Sequence, residues 1–99
     1  MLSAKQRGRL SALAQRMTCL ASVGRAGASD AFAGRLGELL ARHELVKLRL
    51  AGDDGDSRRE LAEDLAVRTG SEVVRIIGKV AVLYRQNPDP AARVIDLEE

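Results

Sequence analysis

The sequence predicts an α/β fold: a mixed four-stranded sheet with helices packed on it, in the order α-β-α-β-α-β-β. Three patterns carry that prediction. Glu44 to Leu50 alternates, with Val46, Leu48 and Leu50 on one side and Lys47 and Arg49 on the other, the period of a strand with one buried and one basic open face. Runs with apolar residues at helical spacing stand on both sides of the first two strand candidates. Glu72 to Ile77 and Val80 to Arg85 flank Gly78-Lys79, a two-residue connection that suits a tight hairpin. Two right-handed crossovers bring the first three strands together with that hairpin, and the main helices are expected on one face.

The first helix is announced by Ser3 and Gln6, a capping-box pair, followed by Leu10, Leu13, Ala14 and Met17 at helical spacing. At 100° per residue Lys5, Arg9 and Arg16 form a narrow basic stripe beside the apolar face. Thr18 to Val23 is short, contains β-branched residues and reads as the first strand. It runs into Val23-Gly24-Arg25-Ala26-Gly27-Ala28-Ser29-Asp30, where two glycines three apart turn the chain into a second helix. Ser29 is a suitable N-cap, Asp30 suits the positive end of the dipole, and Phe32, Leu36, Leu39, Leu40 and His43 mark the buried face. Gly34 and Gly37 weaken this helix by roughly 1 kcal/mol each, and close packing against a strand is the reason considered for them.

After the alternating strand, Gly52 to Asp56 reads as a loop and Ser57 with Glu60 as a second capping box. Leu61, Ala62, Leu65 and Ala66 then form the buried stripe of a third helix, which Gly70 ends. The hairpin completes a domain over residues 1–86, leaving 87–99 as a tail in which only Val94-Ile95 could add an edge strand.

A chain of 99 residues makes one domain, large enough to bury roughly two-thirds of its unfolded surface. The single cysteine, Cys19, cannot form an internal disulfide and is expected as a buried strand thiol. The opening Ser3-Ala4-Lys5-Gln6-Arg7 is no signal sequence and the apolar runs are too short for a bilayer, so a cytoplasmic protein without a membrane partner is expected. Residues 1–50 carry nine Lys or Arg against three acids, whereas residues 51–99 carry seven against eleven. The basic half, which holds the glycine loop, can attract a polyanion; the acids from Asp53 to Asp64 make their end a poor place for one. Phe32 and Tyr84 are the only aromatic residues, too few for a base-stacking platform.

The Gly24–Gly27 loop favours an anion. Neither glycine has a Cβ to hold a ligand away, the following helix aims unpaired N–H groups at the loop, and Arg25 adds a planar charged fork suited to phosphate. The constellations of an enzyme are missing. His43 is the only histidine, no metal-ligand spacing occurs, and neither GxxxxGK[ST] nor GxGxxG is present, so catalysis, metal, nucleotide cofactor and small-molecule substrate are not expected.

Four segments in this order resemble the CRM domain (chloroplast RNA splicing and ribosome maturation), in its bacterial single-domain YhbY-like form. They are Leu2-Ser3-Ala4-Lys5-Gln6-Arg7, Val23-Gly24-Arg25-Ala26-Gly27, His43-Glu44-Leu45-Val46-Lys47, and the hairpin from Ile77 to Arg85. The resemblance implies a fold similar to the C-terminal domain of bacterial translation initiation factor three, and binding to structured RNA. The family's GxxG loop maps onto Gly24 to Gly27, with Arg25 where a basic residue is usual and Ala28 where a larger aliphatic residue is usual. A lone domain favours a role in assembling the large ribosomal subunit, through its ribosomal RNA precursor, over intron splicing.

The RNA-binding residues expected are therefore Gly24, Arg25, Ala26 and Gly27, extended by Lys5, Arg9 and Arg16, with Lys47 as a further candidate on a monomeric protein. The competing reading is a protein-interaction module whose loop clasps an acidic segment of a ribosomal protein or assembly factor.

Overall fold

The computed structural model describes residues 2–24 and 27–97. Its elements are α1 (Ala4–Ala14), β1 (Ala21–Val23), α2 (Asp30–His43), β2 (Leu45–Leu50), α3 (Gly55–Thr69), β3 (Glu72–Ile77), β4 (Val80–Tyr84) and a short 3-10 helix at Pro90–Ala92. The four strands lie in the order β1-β2-β4-β3, with β1 parallel to β2 and β4 antiparallel to both its neighbours. The hairpin therefore places its second strand in the middle of the sheet.

One expectation about layers is corrected. α2 and α3 share a face, packing Leu36, Leu40, Ala62 and Leu65 on Val46, Leu48, Leu50, Ala81 and Leu83. α1 lies on the other face, where Leu10 and Ala14 meet Leu45, Val74, Val82 and Tyr84 together with Leu97 of the C-terminal segment. The physical reason is legible in β4, whose five residues are apolar without alternation, the mark of a strand buried on both faces. The basic side of β2 is thus only partly open: Lys47 is half-buried beneath α1 and Arg49 is exposed.

Local chemistry moves three boundaries. Ser3 and Gln6 form the expected capping box, but β1 is only three residues long because just the end of the predicted strand aligns with β2, Ala21 opposite Leu48 and Val23 opposite Leu50. Cys19, in the segment before β1, is exposed and not buried. Glu44 belongs to no strand: it ends α2 with φ of 63°, in the left-handed region, while its N–H still bonds Leu40 O at 2.8 Å. α3 starts a turn earlier than Ser57, because Asp54 is its N-cap and accepts the Ser57 N–H at 2.8 Å. That bond holds the exposed Asp54 carboxyl below its ordinary value. Gly70 ends α3 in the left-handed conformation, φ 67°, as a C-terminal glycine should.

The chain beyond Arg85 is built around Glu44, whose carboxylate is fully buried. It accepts the backbone N–H groups of Asn87, Val94 and Ile95 at 2.6, 2.8 and 2.9 Å. Val94-Ile95 adds no strand; its N–H groups go to this side chain instead. Close strand packing does not explain the α2 glycines either. A Cβ at Gly34 would meet nothing within 4 Å, and one at Gly37 only the Arg85 guanidinium at 4.0 Å.

Candidate nucleic-acid interface

The register of β1 with β2 puts the glycine loop at the Leu50 end of the sheet, where Ala51 N–H bonds Val23 O at 3.0 Å. The loop closes on itself through Gly27 N–H to Gly24 O at 3.0 Å. Gly27 has φ of 83°, a conformation that favours glycine. Gly24 differs in backbone: it is exposed and its φ is not positive, while at both glycines a Cβ would meet nothing within 4 Å among the described residues beyond the chain neighbours. Among the described residues nothing beyond the chain neighbours crowds the backbone of Gly24. Arg25 and Ala26, between the two glycines in sequence, lie outside the described residues.

Downstream, Ser29 Oγ accepts the Phe32 N–H at 3.0 Å and Ala28 packs against the α2/α3 core. The exit of the loop is held from α3. Arg68 donates to Ala28 O at 3.0 Å and to Asp30 Oδ1 at 2.6 Å, and pairs with Asp64 one turn back on its own helix. Sequence reasoning misses this latch. The i,i+4 spacing of Asp64 and Arg68 is visible, but nothing in the chain signals that Arg68 meets the start of α2.

A cleft of about 480 Å³ opens beside the loop, lined by Gly24, Gly27, Ala51, Gly52, Asp53, Ser57, Glu60 and Leu61. The loop thus shares a border with the acidic start of α3. Carboxylates on that wall repel phosphate.

The basic residues singled out from sequence are not gathered at one point. Lys5 sits in the first turn of α1, near the sheet end marked by the bond of Leu2 N–H to Glu72, whose β-ladder partner is Tyr84. That is the end opposite the glycine loop. Arg9 is exposed in mid-helix and its guanidinium reaches Asp96 O at 3.4 Å. Arg16 lies past the end of α1, exposed in the turn that follows. Lys5 and Arg9 lie on the flank of α1 away from β3, since Arg7 and Ser11 on the other flank meet Val73 O and Arg75. Lys47 serves the fold directly, because its ammonium donates to Ala14 O at 3.1 Å and Met17 O at 3.3 Å and so closes the C-terminal end of α1.

Among the described residues no group of three or more His, Cys, Asp or Glu could hold a metal ion. None of their helices is long and apolar enough to cross a membrane.

A family model for the CRS1 / YhbY (CRM) domain matches residues 2–85, nearly the whole chain. The chain belongs to the CRM-domain family. Among its relatives is "Probable RNA-binding protein PA4753" of Pseudomonas aeruginosa, 32% identical over 89 residues that cover 90% of this chain and 86% of that one. "Probable RNA-binding protein YqeI" of Bacillus subtilis is 29% identical, covering 90% of this chain and 93% of its own. The fold is similar to the solution structure of the hypothetical protein SAV1595 from Staphylococcus aureus. The TM-score is 0.81 at 31% identity, with 91% of this chain and 94% of that one covered. The fold class and family expected from the sequence agree with these findings.

Proposed function

We propose that this CRM-domain protein binds structured RNA by its phosphate backbone, and that the RNA is ribosomal RNA in a precursor of the large ribosomal subunit. The observation that carries the reading is Gly24, exposed at a strand-to-helix turn, with no described residue beyond its chain neighbours that a Cβ would touch. A bare backbone there, followed by the N-terminus of α2, suits close approach of an anion. The relatives named as probable RNA-binding proteins support the same partner.

In this reading Gly24, Arg25, Ala26 and Gly27 receive phosphate on the side of the loop away from Asp53 and Glu60. Lys5, Arg9 and Arg16 extend the contact along α1, and Lys47 acts chiefly by fixing the end of that helix. With Phe32 and Tyr84 the only aromatic residues, and both at least half-buried, the contact reads the shape of folded RNA more than its bases. The protein works in the cytoplasm as a monomer, by binding and not by catalysis, through residues 1–86, and takes no cofactor or metal.

The test is the salt dependence of binding to purified large-subunit ribosomal RNA with no protein present. Each phosphate neutralised lowers log K by about 0.9 per unit of log salt on duplex, and somewhat less on single strands. Replacing Lys5, Arg9 and Arg16 together by glutamine should weaken binding and flatten that slope, with melting close to wild type because exposed charges add little stability. An affinity indifferent to salt contradicts the proposal. No binding without an added ribosomal protein would favour the protein-interaction module instead.

A further inference from the structure

The face of the sheet that α1 only partly covers ends in an open corner. Ladder pairing lines up Arg49 with Val80 and Val80 with Ile77, and, one row in, Lys47 with Val82 and Val82 with Arg75. A cleft of about 160 Å³ lies there, with Ala14, Ile77, Val80 and Val82 for its floor and Lys47 and Arg75 among the residues at its rim. Ile77 is 52% exposed. Among the described residues no carboxylate lines the cleft.

The cations at this corner bond neutral acceptors. Lys47 donates to main-chain carbonyls and Arg75 to the Ser11 hydroxyl at 3.1 Å. Among the described residues neither has a carboxylate partner. Both are held in place by these bonds, so less side-chain freedom is lost when an anion arrives.

We propose that this corner docks an acidic segment of a partner protein, with one branched aliphatic side chain seated in the cleft and carboxylates on Arg49 and Arg75. An aliphatic anchor in a small pocket inside a charged rim is the arrangement that concentrates binding energy in protein interfaces. Charge alone would suit RNA as well. The apolar floor decides between them, because a phosphate backbone gains nothing by covering Ile77 and Val80, and no aromatic side chain lines the cleft to stack a base. The site is separate from the glycine loop and does not depend on the RNA reading.

The experiment uses the full chain, isotopically labelled at methyl groups, and a synthetic nonapeptide of alternating aspartate and serine with leucine at its centre. The methyl resonances of Ile77, Val80 and Val82 should shift saturably, with Kd below about 1 mM. The double variant Arg49→Gln/Arg75→Gln, shown by melting to be folded, should weaken binding by about fivefold or more, as two rim ion pairs would. Replacing the leucine by alanine should abolish the methyl shifts. No saturation, an undiminished response to the alanine peptide, or shifts centred on Gly24 and Gly27 would overturn the proposal. So would a short RNA duplex that moves the same methyl groups at lower concentration, which would make RNA the occupant.

Discussion

Replacing Glu44 by alanine tests whether one buried carboxylate holds the C-terminal segment to the domain. Its three acceptor contacts, to Asn87, Val94 and Ile95, are 2.6, 2.8 and 2.9 Å long. If the segment stayed in place, three N–H groups would lose their partner at about 1–3 kcal/mol each, or about 3–9 kcal/mol together. Letting go exposes chiefly Leu97, now 7% exposed, and part of Ile95, at about 2–4 kcal/mol. Release also returns chain entropy and removes the cost of keeping a carboxylate out of water. Release is therefore the smaller cost, and Glu44→Ala should lose about 2–3 kcal/mol, lowering Tm by roughly 8–20 °C in a domain of this size. Guanidinium denaturation followed by circular dichroism gives the energy, and hydrogen exchange at the amides of Val94 and Ile95 gives the mechanism. The reasoning fails if Tm moves by less than about 2 °C while both amides stay protected.

Two further outcomes follow from neighbouring contacts. Arg85 donates to Thr69 O at 2.7 Å and to Gly37 O at 2.8 Å, tying the end of α3 to α2, so Arg85→Ala should cost about 1–2 kcal/mol by urea denaturation. Lysine at that position should recover less than half, since it cannot reach both carbonyls as a planar fork does; full recovery would contradict the bridging role. Burial, helped by the Glu44 carboxylate and opposed by Arg93, raises the Tyr84 phenol above its ordinary 10.0. A raised folded value means that its stabilising contribution is complete below pH 10.0 and is lost as pH rises through the folded value. Tyr84 is the only tyrosine, so phenolate absorbance should titrate above pH 10.0 in the native protein and return to that value in guanidinium. A native midpoint at or below it would contradict the burial.

The features legible in the sequence are those that depend on neighbours along the chain. The Ser3–Gln6 box, the alternation from Leu45 to Leu50, the Gly78-Lys79 turn and the Gly70 terminus each use residues a few positions apart. What escapes are contacts between distant residues. Nothing near Glu44 reveals that its acceptors' partners lie 43 to 51 residues ahead, and its place in an alternating run makes it look like strand. Nothing in Asp53 or Glu60 reveals that they border the glycine loop, so the expectation that their end is a poor place for RNA does not foresee that the loop lies beside it. Lys47 is visible as a cation, but its carbonyl partners on α1 are not, because the pattern of apolar residues predicts the helices together on one face.

The central claim, that Gly24 to Gly27 receive RNA, is tested most directly by changing Arg25 and Ala26 together to aspartate. Both glycines remain, and carboxylates before the α2 N-terminus are mildly favourable to that helix, by roughly 0.3–1 kcal/mol. Melting should therefore stay at or above wild type while phosphate is repelled from the loop. The measurement is co-sedimentation of the double variant with large-subunit precursors in a sucrose gradient, beside its circular-dichroism melt. A folded variant that stays at the top of the gradient is the result predicted. A folded variant that travels with the precursors as wild type does would remove the loop from the RNA contact.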